Sequence, residues 1–249
     1  GSDTIIGGVG NDSMDGGAGT SDTVDYSTSS AAVTVVLNVS SGTATGGDAT
    51  GDSIANFENV TGSASADSLT GDSNANILTG NAGNDSLYGG AGNDSLYGGA
   101  DNDLIAGGAG NDVLDGGAGV SDTLDYSSSS SAVTVVLNLA TGTATGGHAT
   151  GDTIANFENV LGSATADILT GDSNANALTG NAGNDSFYGG AGNDSLYGGA
   201  DNDLIAGGAG NDVLDGGAGV SDTLDYSASA AVTVVLNTTT GTATGGDAT

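Results

Sequence analysis

Large apolar residues recur every ninth position along much of the chain. Leu69, Leu78, Leu87, Leu96, Ile105 and Leu114 form one series. Leu169, Leu178, Phe187, Leu196, Ile205 and Leu214 form another, and Ile5 and Met14 open the chain in the same rhythm. Each has a small or polar residue on at least one side, as in Ser86-Leu87-Tyr88, and glycines bracket each such triplet of the strict repeats. One inward side chain between two turns predicts a three-residue strand. A second pattern interrupts the first. Val133, Val135 and Leu137 alternate with smaller or outward positions, which predicts an ordinary strand, and Gly142–Gly146 reads as its return. Phe57 and Phe157 are expected as core plugs. Tyr88, Tyr97, Tyr188 and Tyr197 should face outward, where tyrosine suits contact between chains.

The residues between the apolar positions complete a motif, G-G-x-G-x-D-x-U-x, with U large and apolar. Gly89-Gly-Ala-Gly-Asn-Asp94-Ser-Leu96-Tyr97 is one copy, in phase with copies at Gly80, Gly98 and Gly107. Looser copies start at Gly62 and Gly71, and the series recurs from Gly162 to Asp215. Glycine at the first, second and fourth places permits positive φ and tight turning. A turn plus a short strand makes half a coil, so two nonapeptides make one. Stacked coils then build two parallel sheets with strands about 4.8 Å apart. Aspartates 18 residues apart face each other: Asp67 and Asp85, Asp85 and Asp103, Asp94 and Asp112, with equivalents from Asp167 to Asp212. Carboxylate and carbonyl oxygens select a hard cation, and Ca²⁺ best tolerates an irregular shell.

Charge makes that cation necessary. The chain has 31 Asp and Glu, no Lys or Arg and one His, a formal charge of −31, with 48 Gly. Self-repulsion and glycine entropy both oppose a compact state. Positive charge must come from outside. Without Lys or Arg there is no phosphate-binding surface for nucleic acid. No apolar run approaches the length of a membrane helix. Zero Cys excludes a disulfide framework. One histidine, His148, provides neither a zinc site nor a catalytic triad, so no enzyme activity is expected.

The nonapeptides resemble those of the RTX (repeats-in-toxin) family of secreted bacterial proteins. The resemblance implies an all-β parallel β-roll or β-solenoid of stacked coils with calcium between turn loops. It implies ligands at Asp3, Asp12, Asp22, Asp67, Asp85, Asp94, Asp103, Asp112, Asp122, Asp167, Asp185, Asp194, Asp203, Asp212 and Asp222. Loop carbonyls at Gly90, Gly92, Gly108, Gly110, Gly190, Gly192, Gly208 and Gly210 would complete the shells. Asn76 and Asn176 replace aspartate and should weaken their sites. Asp101 and Asp201 stand where glycine is usual; an added ligand and an exposed residue both remain open. The family also implies type I secretion to the outside or the cell surface, with the signal beyond Thr249.

A longer period of 100 residues lies over the shorter one. Residues 51–100 and 151–200 match at 44 of 50 positions, and 201–249 repeat 101–150 with one serine fewer. We expect one continuous solenoid over 1–249. Its nonapeptide blocks are 1–27, 62–127 and 162–227, joined by wider, irregular β-coils at 28–61, 128–161 and 228–249; a separate β-module is the alternative for the latter. Reprinted units suit an architectural role: adhesin stalk, surface layer or filament. The alternatives are a ligand- or ice-binding face and the passenger region of a secreted toxin or hydrolase. Ice binding wants Thr at the third loop place, where Ala82, Ala91 and Ala109 stand. Uncapped coil ends lead us to expect a longer array or self-association.

Overall fold

The computed structural model describes residues 1–228, together with 233–235 and 242–244. Most of the third linking segment, 228–249, lies outside the described residues. The chain is all-β; the 3₁₀ turns Gly47–Ala49 and Gly147–Ala149 are the only helical pieces among the described residues. The coils form a β-solenoid. Contacts divide the chain into two compact units, one of Gly1–Asp125 with His148–Phe157, the other of Tyr126–Gly147 with the residues from Glu158 on.

The first unit holds two sheets. One runs in the order Thr4–Ile5, Thr23–Asp25, Asn59–Thr61, Ile77–Ala82, Ser95–Ala100, Val113–Ala118, Thr153–Ala155. The other runs Ser13–Asp15, Ser53–Ala55, Gly42–Thr45, Thr34–Val36, Ser68–Thr70, Ser86–Ala91, Leu104–Ala109, Thr123–Asp125. Through the nonapeptides the chain gives one strand to each sheet in turn. Every strand therefore pairs in parallel with the one 18 residues away, as Leu87 does with Leu69 and Ile105. The apolar residue of each repeat thus lands on its own counterpart. Leu69, Leu87, Ile105 and Leu124 form one interior column; Val60, Leu78, Leu96, Leu114 and Ile154 form the other, all buried. Each such side chain contributes about 1.5–3 kcal/mol.

The strands are longer than the pattern predicts. Ser86–Ala91 has six residues, and its ladder continues through Gly90 paired with Gly108 and Ala91 with Ala109. The Gly-Gly-Ala stretch carries almost no side chain to hold neighbouring coils apart, so it joins the ladder. The turn itself shrinks to Gly92-Asn93-Asp94.

The linking segment 28–61 enters the same sheets. Thr34–Val36 and Gly42–Thr45 are antiparallel, as are Gly42–Thr45 and Ser53–Ala55. The outer strands of this meander pair in parallel with Ser68–Thr70 and Ser13–Asp15. Val33, Val35, Leu37, Ala44, Ile54 and Phe57 are buried beneath it. The insertion has a topological effect. Ser13–Asp15 lies in the second sheet, whereas Val113–Ala118, 100 residues on, lies in the first. Thr23–Asp25 and Thr123–Asp125 exchange sheets in the opposite sense.

The second unit repeats the plan. Its sheets contain Gly142–Thr145, Thr134–Val136, Ile168–Thr170, Ser186–Ala191, Leu204–Ala209 and Thr223–Leu224, and Asn159–Leu161, Ala177–Ala182, Ser195–Ala200 and Val213–Ala218. Val160, Leu169, Leu178, Phe187, Leu196 and Ile205 are buried. The four outward tyrosines, Tyr88, Tyr97, Tyr188 and Tyr197, are exposed on the sheet faces.

Candidate metal centres

Each strict nonapeptide turns at glycines in the left-handed region; Gly90 has φ 104° and Gly92 φ 128°. A β-carbon at Gly90 would strike the carbonyl of Asp72, and one at Gly108 that of Gly90, so the loops stack at backbone contact. This closeness buries the sixth residue. Asp85, Asp94, Asp103, Asp112, Asp122, Asp185, Asp194 and Asp203 are all at most 2% exposed.

The two oxygens of these carboxylates differ. Oδ1 accepts the backbone N–H of the residue one coil earlier: Asp67 N–H to Asp85 at 2.7 Å, Asp85 to Asp103 at 2.8 Å, Asp94 to Asp112 at 2.8 Å and Asp103 to Asp122 at 2.8 Å. The second unit repeats this with Asp167 to Asp185, Asp185 to Asp203, Asp194 to Asp212 and Asp203 to Asp222. Oδ2 of Asp85, Asp94, Asp103, Asp112, Asp185, Asp194 and Asp203 is buried and meets no donor. A buried, unsatisfied anionic oxygen costs at least about 1–3 kcal/mol, and more when charged. Seven such atoms among the described residues could not be tolerated by chance in a chain without Lys or Arg.

A hard cation resolves the deficit. Asp94 Oδ2 and the carbonyl oxygen of Gly107 both face Gly89, each 2.5 Å from where its β-carbon would lie. Asp85 Oδ2 with Gly98 O and Asp103 Oδ2 with Gly116 O face Gly80 and Gly98 in the same way. The donors are all oxygen. Among the described residues no three His, Cys, Asp or Glu side chains cluster as a metal group, so carbonyls must share the work. Carboxylate-plus-carbonyl shells suit Ca²⁺. The residues present therefore fit calcium, with the loop aspartates supplying charge and the backbone supplying neutral oxygens.

With no cation, burial pushes the Asp85 carboxyl up to about 7, and the charges of Asp103, Asp67 and Asp101 add to it; the N–H of Asp67 acts against the rise. Burial likewise carries Asp94 and Asp185 to about 7, and Asp103 and Asp194 to about 6. Asp112 and Asp203 are raised for the same cause.

The remaining predicted ligands differ in setting. Asp22 is buried and Asp12 half-buried, each with an Oδ2 that meets no donor; Asp3 is exposed. Asp212 is half-buried and Asp222 exposed. Asp67 and Asp167 are buried but saturated: the N–H of Ser63 reaches Asp67 Oδ2 at 2.5 Å, and that of Val33 reaches Oδ1 at 2.7 Å. Ser163 and Val133 hold Asp167 identically. Asn76 is also saturated, its Oδ1 accepting from Asp72 N–H and its Nδ2 donating to Glu58 O; Asn176 matches it. Gly90, Gly92, Gly108, Gly110 and their copies Gly190, Gly192, Gly208 and Gly210 all hold positive φ in the stacked loops. The carbonyls of Gly90 and Gly92 face Gly108 and Gly110, and it is the carbonyls at the first glycine that meet the carboxylates. Asp101 and Asp201 are exposed, with φ of 74° and 76°.

Three acidic residues outside the repeats also join the ladder. Asp52 Oδ1 accepts from Asp12 N–H at 2.9 Å, Glu58 Oε2 from Asp22 N–H at 2.9 Å, and Asp152 Oδ1 from Asp112 N–H at 2.9 Å. Their spacings of 40 and 36 residues hide them from a search at 18. The short sequences Gly51-Asp52-Ser53-Ile54, Phe57-Glu58-Asn59-Val60 and Gly151-Asp152-Thr153-Ile154, each with an acid two places before an apolar residue, carry the signal.

A family model for the RTX calcium-binding nonapeptide repeat matches residues 1–21, 61–96, 88–121, 161–196 and 188–221. No curated protein matches the chain. The matched segments cover more than half of the sequence, and the chain belongs to the family of RTX calcium-binding nonapeptide repeat proteins. It is a calcium-binding repeat module in the form of a β-solenoid.

Proposed function

We propose that the chain is a calcium-dependent structural module of a secreted bacterial surface protein, an adhesin stalk, surface layer or filament, and not an enzyme. The observation that carries the reading is the row of buried aspartate oxygens without donors in a chain that has no Lys or Arg. Such a row is costly until cations bind, so metal binding and folding are one event. Extracellular calcium modules bind at about 10⁻⁴–10⁻³ M. At cytosolic calcium the chain stays extended and passes a type I secretion channel; outside it folds. Repeated, near-identical coils provide length and stiffness. Several ions per chain serve the two units, and self-association or a longer array continues the stack.

Circular dichroism tests this. The chain should lack β signal in excess chelator and gain it at about 5 mM calcium, above that affinity range, with magnesium substituting poorly. The same β signal in both conditions would refute the reading.

A further inference from the structure

We propose that the linking segments carry calcium sites of their own, formed by Asp112 with Asp152 and by Asp12 with Asp52. The inference rests on the calcium reading above and adds ligands that the nonapeptide motif does not contain.

Asp112 closes the last strict loop of its block. It is wholly buried, and its Oδ2 has no donor. No nonapeptide follows 18 residues on in the stack; Thr153–Ala155 takes that place, with Val113 paired to Thr153 and Leu114 to Ile154. This register sets Asp152 above Asp112 as Asp112 is set above Asp94. The backbone agrees in detail. Thr153 N–H donates to Asp112 O at 2.8 Å, just as Val113 N–H donates to Asp94 O at 2.8 Å. Asp112 N–H donates to Asp152 Oδ1 at 2.9 Å, just as Asp94 N–H donates to Asp112 Oδ1 at 2.8 Å. Gly151, at φ 91°, lets the two loops touch: a β-carbon there would overlap the Asn111 side chain. Asp152 thus occupies the place of a loop aspartate without belonging to a nonapeptide.

The first copy repeats the arrangement. Ser13 pairs with Ser53, Ser53 N–H donates to Asp12 O, and Asp12 N–H donates to Asp52 Oδ1 at 2.9 Å. Asp12 Oδ2 is again buried without a donor. Here the Tyr26 hydroxyl donates to Asp52 Oδ2 at 3.1 Å. With two donors on about four lone-pair sites, this carboxylate keeps room for a cation that Asp67, with three donors, lacks, and a buried aromatic ring lies beside the site. Paired carboxylates, each pair with one buried oxygen that meets no donor, call for the same hard divalent cation as the repeats; the Met14 sulfur beside Asp12 and the His148 ring near Asp112 are the other groups at hand.

Native mass spectrometry of the full chain in calcium supplies the count. Asp152→Asn should bind one ion fewer than wild type, and the Asp52→Asn, Asp152→Asn double variant two fewer. Asp215→Asn, at an exposed carboxylate, should lose none. Circular dichroism checks that the variants fold. An unchanged count in the double variant overturns the inference and leaves the calcium reading standing; a wild type that binds no calcium overturns both. Terbium gives a second readout that needs no carboxylate change. Tyrosine-sensitised terbium emission should fall in Tyr26→Phe, and undiminished emission would count against the Asp12–Asp52 site.

Discussion

Protons should replace calcium in holding this fold. The buried aspartates have carboxyls raised from 3.8 to about 7 at Asp85, Asp94 and Asp185 and to about 6 at Asp103 and Asp194. A carboxyl raised on folding contributes stability that is complete below its unfolded value, near 4, and is lost as pH rises through its folded value. For the metal-free chain the loss therefore falls between about pH 4 and 7. The rise of about three pH units at Asp85, Asp94 and Asp185 corresponds to about 4 kcal/mol per group, and that of about two units at Asp103 and Asp194 to about 3 kcal/mol. Relaxation of the loops, which gives even buried sites an effective dielectric constant of about 20, reduces this to about 1–2 kcal/mol per group. Five groups then give on the order of 5–10 kcal/mol, comparable to the whole stability of a small domain. The metal-free chain should be unfolded at pH 8 and gain β structure on acidification to pH 5, which stays above the isoelectric point of about 4.1. In calcium the trend reverses: the calcium midpoint should rise as pH falls through 7 to 6, because protons and metal compete for the same oxygens. Far-ultraviolet circular dichroism in metal-stripped buffers from pH 8 to 5 makes the measurement. No gain of β signal across that range would refute the electrostatic argument.

Three further outcomes follow from the same geometry. Asp94→Asn should raise the calcium midpoint of folding severalfold, whereas Asp67→Asn should leave it unchanged while costing about 1 kcal/mol, since Ser63 and Val33 already hold Asp67; paired calcium titrations and denaturant melts separate the two. Gly89→Ala crowds a methyl to 2.5 Å from Asp94 Oδ2 and Gly107 O and pushes that carboxylate aside, so the chain should lose one bound ion in equilibrium dialysis with no change of charge. Tyr26→Phe removes the donor to Asp52 Oδ2 and should cost about 1–3 kcal/mol in urea unfolding in calcium, a loss that the exposed Tyr88→Phe should not show.

Much of this was readable from spacing. The ninefold recurrence of Leu87, Leu96 and Ile105 specifies strands, and its doubling specifies which residues stack, because a coil with two equal halves allows one register. The aspartate pairs follow from that register. Strand length did not follow: Gly89-Gly90-Ala91 reads as turn by propensity, yet it pairs with Gly107–Ala109 because nothing keeps the coils apart. Asp52, Glu58 and Asp152 were hidden because a meander separates them from their partners by 40, 36 and 40 residues and not by the 18 of one coil. The saturation of Asp67 was equally hidden. It depends on a serine four residues earlier and on Val33, 34 residues away, and only the folded chain brings both to one carboxylate.

The exchange of sheets between residues 100 apart separates heredity from architecture. What duplicates in the gene is a unit of 100 residues, but in the first unit Thr23–Asp25 and Thr123–Asp125 stand in opposite sheets. Within the first unit, one step of the sequence repeat thus moves a strand to the other sheet. A substitution copied into both positions, as at Asp25 and Asp125, would be displayed on opposite sheets of that unit and would meet different neighbours in each.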